Sequence, residues 1–173
     1  MNDTSRGLER KTYTFDQVIK ASTEYFKGDE LAADTWANKY ALKDSQERLY
    51  ELTPDDMHHR LAREFARIES KYPNPMSEDQ LYSLLKDFKY VIPQGSPQAG
   101  IGNDFQVVSL SNCFVIGNNS DSYGGIMRTD EEQVHLMKRR GGVGHDLSHL
   151  RPKKSPVKNS SLSSTGVPTF MER

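Results

Sequence analysis

The chain has little cysteine, little apolar sequence and almost no net charge. Its 173 residues contain one cysteine, Cys113, so neither an internal disulfide nor a cysteine-based zinc site can form within them. Hydrophobic residues make up 35% of the sequence, and no stretch approaches the roughly 18 consecutive apolar residues of a membrane helix. A formal charge of -1 disfavours a general nucleic-acid-binding protein. These absences predict a cytoplasmic protein with neither membrane nor nucleic acid as a partner.

Basic residues are concentrated late in the chain. Between Lys138 and Lys158 there are seven lysines and arginines and a single acidic residue, Asp146. Glycines and serines are interspersed among them. Such a stretch suits phosphate binding, although a solvated basic loop has the same composition.

Helix-capping signals dominate the first half. Thr14 with Gln17, and Ser77 with Gln80, have capping-box spacing, and Pro54 follows Thr53 as a first helical residue should. Apolar residues after each signal recur at helical intervals. Four helices are predicted, over about residues 14–28, 29–42, 53–72 and 77–88. Residues 1–13 are expected to form a flexible leader and residues 14–90 a helical domain.

The pattern changes after residue 90. A turn-rich loop is predicted over 92–100, a strand over Phe105–Ile116, a short helix that Thr129 and Glu132 cap and that runs to Lys138, and a second strand that ends near Leu150. A helix is expected to begin at Val167. So few strands cannot close a sheet, and their unpaired edges favour a second polypeptide or a continuation of the chain. A small self-contained α+β domain explains the pattern equally well.

Two features of this half suggest chemistry. Small polar residues precede Cys113 and apolar ones follow it, as in a strand that opens into a site, where a thiol can be a redox group. A buried free thiol is the simpler alternative. Gly141, Gly142 and Gly144 allow close approach of a ligand to the backbone, or form a plain turn. His145 and His149 lack a third ligand at suitable spacing, so no metal site is expected.

Five sequence blocks, taken in order, resemble the large subunit of ribonucleotide reductases. They are Ser109–Ile116 (SLSNCFVI), Asp121–Ile126 (DSYGGI), Met137–Gly144 (MKRRGGVG), Leu150–Pro152 (LRP) with Ser155–Pro156 (SP), and Ser164–Arg173 (STGVPTFMER). The helical first half is similar to the N-terminal helical domain of that family. The resemblance extends over roughly residues 14–173.

The resemblance implies a fold and a chemistry. It implies an α+β or α/β protein whose N-terminal helical domain precedes the first strands of an incomplete ten-stranded α/β barrel, over residues 91–173. Members of the family reduce the 2′-hydroxyl of ribonucleotides by means of a cysteine thiyl radical and a reducing pair of cysteines. Cys113 matches the first cysteine of that pair. The radical cysteine and the second reducing cysteine lie beyond Arg173 in the family, so this chain is expected to need a second chain that carries the rest of the barrel.

Further site residues follow from the same resemblance. Positions that match substrate contacts are Ser96, Ser111, Asn112, Gly141 and Gly142. Asp121 and Arg151 match positions that bind a deoxynucleotide or ATP effector, and the loop over residues 146–159 matches one that senses it.

The resemblance also implies a cofactor and partners that lie outside this chain. The motifs lean toward the adenosylcobalamin-dependent class, with a radical-generating metal subunit as the alternative, and a thioredoxin-like reductant is expected. The ATP-binding domain that precedes some family members is expected to be absent, because the first helix begins by Thr14. Two other hypotheses remain open, namely a non-catalytic nucleotide-binding regulatory module and a non-functional remnant.

Overall fold

A computed structural model describes residues 10–172 of the chain. The chain divides after Leu110 into two compact units. The helices of the first unit are α1 (Phe15–Tyr25), α2 (Glu30–Lys39), α3 (Pro54–Glu69), α4 (Glu78–Leu85) and α5 (Gly95–Gly100), with a 3-10 turn over Lys86–Phe88. The second unit contains β1 (Cys113–Gly117), α6 (Tyr123–Met137), β2 (Gly142–Asp146) and α7 (Pro168–Met171).

Local hydrogen bonds fix the helix starts that the sequence predicts. The Thr14 hydroxyl accepts a hydrogen bond from the Gln17 amide at 3.3 Å, and the Gln17 side chain accepts one from the Thr14 amide at 3.0 Å. Ser77 and Gln80 form the same reciprocal pair at 3.2 and 2.8 Å. Each pair satisfies amide donors that a first helical turn leaves free. The capping predictions for α1 and α4 are therefore confirmed.

The core of the first unit lies among α1, α2 and α3. Val18, Met57 and Leu61 are fully buried, and Trp36 is 2% exposed. The Trp36 indole N–H donates to the Met57 sulfur at 3.4 Å, so the polar edge of the ring is satisfied inside the core. Burying each such side chain stabilises the fold by roughly 1.5–3 kcal/mol.

The prediction of a loop over residues 92–100 is wrong in part, because α5 lies within it. Gly95 and Pro97 suggest a turn, yet Pro97 sits in the first turn, where a helix needs no amide donor. The carbonyls of Gln98 and Ile101 accept hydrogen bonds from the guanidinium of Arg60 on α3. The segment therefore packs with the helices. Of the predicted leader, residues 1–9 lie outside the described residues, and Tyr13 forms an antiparallel bridge with Leu49.

The second unit is built on a parallel β–α–β arrangement. β1 pairs with β2 in the register Cys113↔Gly142 through Gly117↔Asp146, and α6 connects them. The predicted strand over Phe105–Ile116 is too long, because β2 offers only five residues for pairing. Val107, in the part that forms no strand, is 81% exposed. β2 likewise ends at Asp146, before the predicted Leu150.

The start of α6 also differs from the prediction. Ser122 is the N-cap, and its side chain accepts a hydrogen bond from the Gly125 amide at 3.1 Å. Thr129, the predicted cap, lies inside the helix, where its hydroxyl bonds the Asn118 side chain and the Gly125 carbonyl, each at 3.1 Å. Gly124 and Gly125 lie in the first turn, and because glycine is typical of loops the sequence pattern predicts a loop where the helix begins. None of the helices over residues 10–172 combines the length and the apolar character needed to cross a membrane.

Candidate functional site

Cys113 begins β1 on an open face of the two-stranded sheet. Side chains alternate along the strand, so Cys113 and Val115 are exposed while Phe114 and Ile116 are half-buried. Val115 is 84% exposed, which shows how open this face is. The thiol itself is free and exposed. The alternative of a buried packing cysteine is therefore wrong for the second unit as it stands.

Gly142 lies opposite Cys113 and leaves the sulfur uncovered. A Cβ atom added at Gly142 would lie 3.8 Å from the Cys113 sulfur and 3.2 Å from the Asn112 carbonyl oxygen. The Gly142 amide donates to that same carbonyl at 2.6 Å. Since glycine places no side chain beside the thiol, a ligand can approach the sulfur and the backbone of both strands together. Cys113, Asn112 and Gly142 are thus brought into one site, with Ser111 exposed at its edge.

Gly141 differs from its neighbour, although the resemblance implies a substrate contact for both. Gly141 is buried, and a Cβ atom there would lie 2.7 Å from the Phe114 ring and 3.1 Å from the Leu136 carbonyl oxygen. Glycine at this position lets α6 end directly beneath the aromatic ring. Packing alone therefore requires a glycine at residue 141. Ser96 belongs to the first unit, on α5, and is 5% exposed.

Asp121 and Arg151 form an ion pair across 30 residues of sequence. The Arg151 Nε donates to one carboxylate oxygen of Asp121, the Arg151 backbone amide to the other at 3.2 Å, and a second guanidinium nitrogen to the Asp121 carbonyl at 3.2 Å. Desolvation opposes ionisation of the carboxyl group, but the hydrogen bonds and charge of Arg151 outweigh it and lower the Asp121 pKa. The two predicted effector residues are therefore brought together.

The ion pair borders a cavity of about 260 Å³ in the second unit. Its lining includes Tyr123 of α6, Lys158 and the hydroxyl side chains of Ser163, Ser164 and Thr165. A lysine, an arginine and several hydroxyls around one cavity suit a ligand with phosphate and hydroxyl groups. The sequence shows the basic, serine-rich composition of this loop but not which of its residues face the cavity.

A larger cavity of about 630 Å³ lies beside α6, β2 and α7. Its lining combines apolar residues with Asp130, His145 and Asp146. Across residues 10–172, His, Cys, Asp and Glu side chains nowhere gather in a group of three that could hold a metal ion.

The two units differ in fold. One unit is all-helical. The other is a parallel β–α–β unit that presents a free thiol, and it also has an Asp–Arg ion pair beside a cavity. Residues 26–95 match the sequence model of the ribonucleotide reductase all-alpha domain, and residues 111–173 match that of the ribonucleotide reductase barrel domain. The two matches together cover most of the chain, which belongs to the ribonucleotide reductase family.

A curated relative agrees with this assignment. The chain is 28% identical over 147 residues to the protein named ribonucleoside-diphosphate reductase subunit alpha from Helicobacter pylori. The matched region is 85% of this chain but 18% of that protein. The predicted fold, a helical domain followed by the first strands of a barrel domain, is confirmed.

Proposed function

We propose that the chain forms the N-terminal part of the catalytic subunit of a ribonucleoside-diphosphate reductase. Together with a chain that carries the rest of the barrel, it contributes to the radical-based reduction of ribonucleotides to deoxyribonucleotides for DNA synthesis. The observation that carries the proposal is the exposed Cys113 thiol beside Gly142, on the open face of a parallel sheet. A thiol in this setting can reach a ribose, whereas a packed thiol cannot.

Cys113 supplies reducing electrons in this proposal. Reduction of the substrate removes its 2′-hydroxyl as water, and two thiols are oxidised to a disulfide as they provide the two electrons and two protons. Cys113 is the only cysteine among the 173 residues, so the second reducing thiol and the radical cysteine come from a chain that carries the rest of the barrel. Ser111, Asn112 and Gly142 bind the substrate beside the thiol. Gly141 acts mainly by supporting Phe114.

The cavity next to Asp121 and Arg151 is proposed to bind the nucleotide effector. Arg151 and Lys158 supply positive charge for phosphate, and Asp121 accepts hydrogen bonds from hydroxyl groups. The loop over residues 146–159 contains Arg151 and Lys158, so binding at this cavity would change its position directly.

The remaining partners lie outside the chain. The radical is generated by adenosylcobalamin or by a metal-containing subunit, and a thioredoxin-like protein restores the reducing thiols. The relative's name, subunit alpha, fits an enzyme of more than one kind of subunit and gives the cobalamin alternative no support. A cytoplasmic location follows from the proposed activity.

The test compares this chain alone with the chain mixed with a polypeptide that carries the remaining barrel. Deoxynucleotide formation from ribonucleoside diphosphates is measured with a dithiol reductant and each radical source in turn. We expect no product from the chain alone and product from the mixture. Turnover by the isolated chain would show that the assignment of a single reducing thiol is wrong.

The Asp121–Arg151 cavity favours one rival, a regulatory module that binds nucleotides without catalysis. That rival predicts the same nucleotide binding but no product in any mixture. Co-purification with the complementing chain, followed by deoxynucleotide analysis, separates the two.

A further inference from the structure

His58 is a buried polar group in the helical unit. It lies on α3 and is 1% exposed. Its Nδ1 atom has no hydrogen-bond partner within residues 10–172, whereas buried polar atoms in folded proteins are nearly always bonded. An unpaired nitrogen is least costly while the imidazole is neutral. Protonation would bury a charge and an N–H group without an acceptor, which costs far more.

Phe88 covers His58 on one side. The ring centroids of the two residues are 4.6 Å apart, in an edge-to-face arrangement. Phe88 also stacks on Phe26, the residue that ends α1, with the ring centroids 6.1 Å apart. Phe88 is itself only half-buried. A partly exposed aromatic ring therefore shields a fully buried imidazole from water.

The 3-10 turn over Lys86–Phe88 holds Phe88 in an unfavourable backbone conformation. Asp87 has a φ of +56° and Phe88 a φ of +54°. Two consecutive residues with side chains rarely adopt this left-handed region, and they keep it only where surrounding contacts enforce it. The turn is closed by two backbone hydrogen bonds, from the Lys89 amide to the Lys86 carbonyl at 3.2 Å and from the Val91 amide to the Leu84 carbonyl at 2.9 Å.

The ionisable groups around His58 and the turn do not neutralise a charge on the ring. They are Asp55 and His59 of α3, Lys86 and Asp87 of the turn, Tyr25 of α1 and Tyr82 of α4. Asp55 accepts a hydrogen bond from the Tyr82 hydroxyl at 2.6 Å, and Asp87 accepts one from the Tyr25 hydroxyl at 3.4 Å. Both carboxylates thus have partners other than His58. Burial lowers the pKa of His58, although the charges of Asp55 and Asp87 act in the opposite direction.

We propose that residues 86–88 form a pH-sensitive latch, which is closed over His58 while the imidazole is neutral and opens when the imidazole takes up a proton. Opening gives the protonated ring access to water and releases Asp87 and Phe88 from the left-handed region. Phe88 also lines a cavity of about 340 Å³ next to Trp36, so opening of the latch widens that cavity. The proposal concerns the helical unit alone and does not depend on the proposed function.

The direction of the pH dependence follows from linkage. A histidine that is neutral in the closed state and titrates freely in the open state stabilises the closed state fully above its free pKa of about 6.5. That stabilisation is lost as pH falls below this value. The open fraction should therefore rise roughly ten-fold between about pH 7.5 and about pH 5.5.

The experiment follows hydrogen exchange by NMR at the Lys89 and Val91 amides of the whole chain, corrected for the intrinsic effect of pH on exchange. Acrylamide quenching of Trp36, the only tryptophan, reports the cavity independently. His58→Leu removes the titrating group at similar size. His59→Gln is the matched control, because this neighbouring histidine has a side chain that is 47% exposed. Phe88→Ala removes the covering ring and leaves both histidines in place.

In wild type and in His59→Gln, protection of both amides should fall about ten-fold between about pH 7.5 and about pH 5.5, and quenching of Trp36 should increase. His58→Leu should show neither change. Phe88→Ala should exchange fast at both pH values, because its latch has lost the ring that closes it. This last variant keeps the proposal testable if His58→Leu does not fold.

Three results would overturn the latch. Protection in wild type that does not depend on pH would exclude the switch, and a pH dependence retained by His58→Leu would assign it to another group. A loss of protection equally large throughout α1, α2 and α3 would show that acid destabilises the whole unit rather than the turn. Slow exchange of the Lys89 and Val91 amides in Phe88→Ala would show that Phe88 does not close the turn.

Discussion

Replacing Gly141 with alanine tests the packing beneath Phe114. The added methyl group would lie 2.7 Å from the Phe114 ring and 3.1 Å from the Leu136 carbonyl oxygen. The ring can tilt, but the carbonyl belongs to the last turn of α6 and cannot move without disturbing the helix end. Overpacking of this kind costs about 1–3 kcal/mol. Alanine also reduces the conformational entropy of the unfolded chain, which offsets only about 0.4–1 kcal/mol of that cost.

Gly142→Ala is the matched control, one residue away. Its methyl group would lie 3.2 Å from the Asn112 carbonyl oxygen and 3.8 Å from the Cys113 sulfur, on the exposed face. The cost of this small clash and the stabilisation from a less flexible unfolded chain nearly cancel, so the free energy of unfolding should change by less than about 0.5 kcal/mol. The methyl group would nevertheless stand beside the thiol. Gly142→Ala should therefore lower substrate affinity in the assembled enzyme without loosening the sheet.

Hydrogen exchange measured by mass spectrometry on peptides covering β1 and β2 is the appropriate assay, because it reports local opening of the second unit. Protection should fall about ten-fold for Gly141→Ala, the equivalent of the roughly 1.4 kcal/mol that remains when the unfolded-state gain is subtracted from the overpacking cost. It should be almost unchanged for Gly142→Ala. If the two variants lost protection equally, or if Gly142→Ala lost more, the distinction drawn between a buried packing glycine and an open ligand-facing glycine would be refuted.

Three further predictions concern ionisable and redox groups. Cys113→Ser should abolish multiple turnover in the assembled enzyme and leave unfolding by urea nearly unchanged, since the thiol is exposed; near-normal turnover would rule out the redox role. Asp121→Asn should weaken effector binding and remove a contribution to stability. Arg151 lowers the pKa of Asp121, so this contribution is fully present above the unfolded pKa of about 3.9 and is lost as pH falls through the folded pKa. If urea titrations showed that wild type and Asp121→Asn lose the same free energy of unfolding on acidification, the prediction would be contradicted. Asp44 is desolvated, but hydrogen bonds from Arg48 and neighbouring amides lower its pKa to about 2. Wild type should therefore lose more stability than Asp44→Asn between pH 4 and pH 2, and parallel urea titrations check this.

The helical half was the more predictable part of the fold. Capping boxes at Thr14 and Ser77 are local, since both partners lie within one turn, and the sequence therefore contains the whole interaction. α5 is the opposite case. Its glycines and Pro97 indicate a turn, and its helix end is satisfied by Arg60, which lies 38 residues before Gln98. No local pattern contains that information.

The second half was predicted less well for related reasons. A run of apolar residues from Phe105 predicts a strand, but the length of β1 is set by the five residues of β2 that pair with it. The spacing of Thr129 and Glu132 imitates a capping box within a helix that Ser122 begins. The family resemblance supplied the candidate residues, yet neither spacing nor composition predicts that Asp121 and Arg151 bond to each other, or that Gly141 is buried while Gly142 is open.

The ion pair between Asp121 and Arg151 has a consequence for how a charged ligand is recognised there. Each group already has a partner of opposite charge within the protein, so a phosphate that engages Arg151 must compete with the carboxylate of Asp121. Binding is then an exchange of partners, and its strength reflects the difference between two ionic interactions rather than the full value of either one. Such an exchange takes the Asp121 carboxylate off the guanidinium but does not by itself remove its 3.2 Å hydrogen bond from the Arg151 backbone amide. Ligand binding would thereby weaken the link between the start of α6 and the loop that contains Arg151.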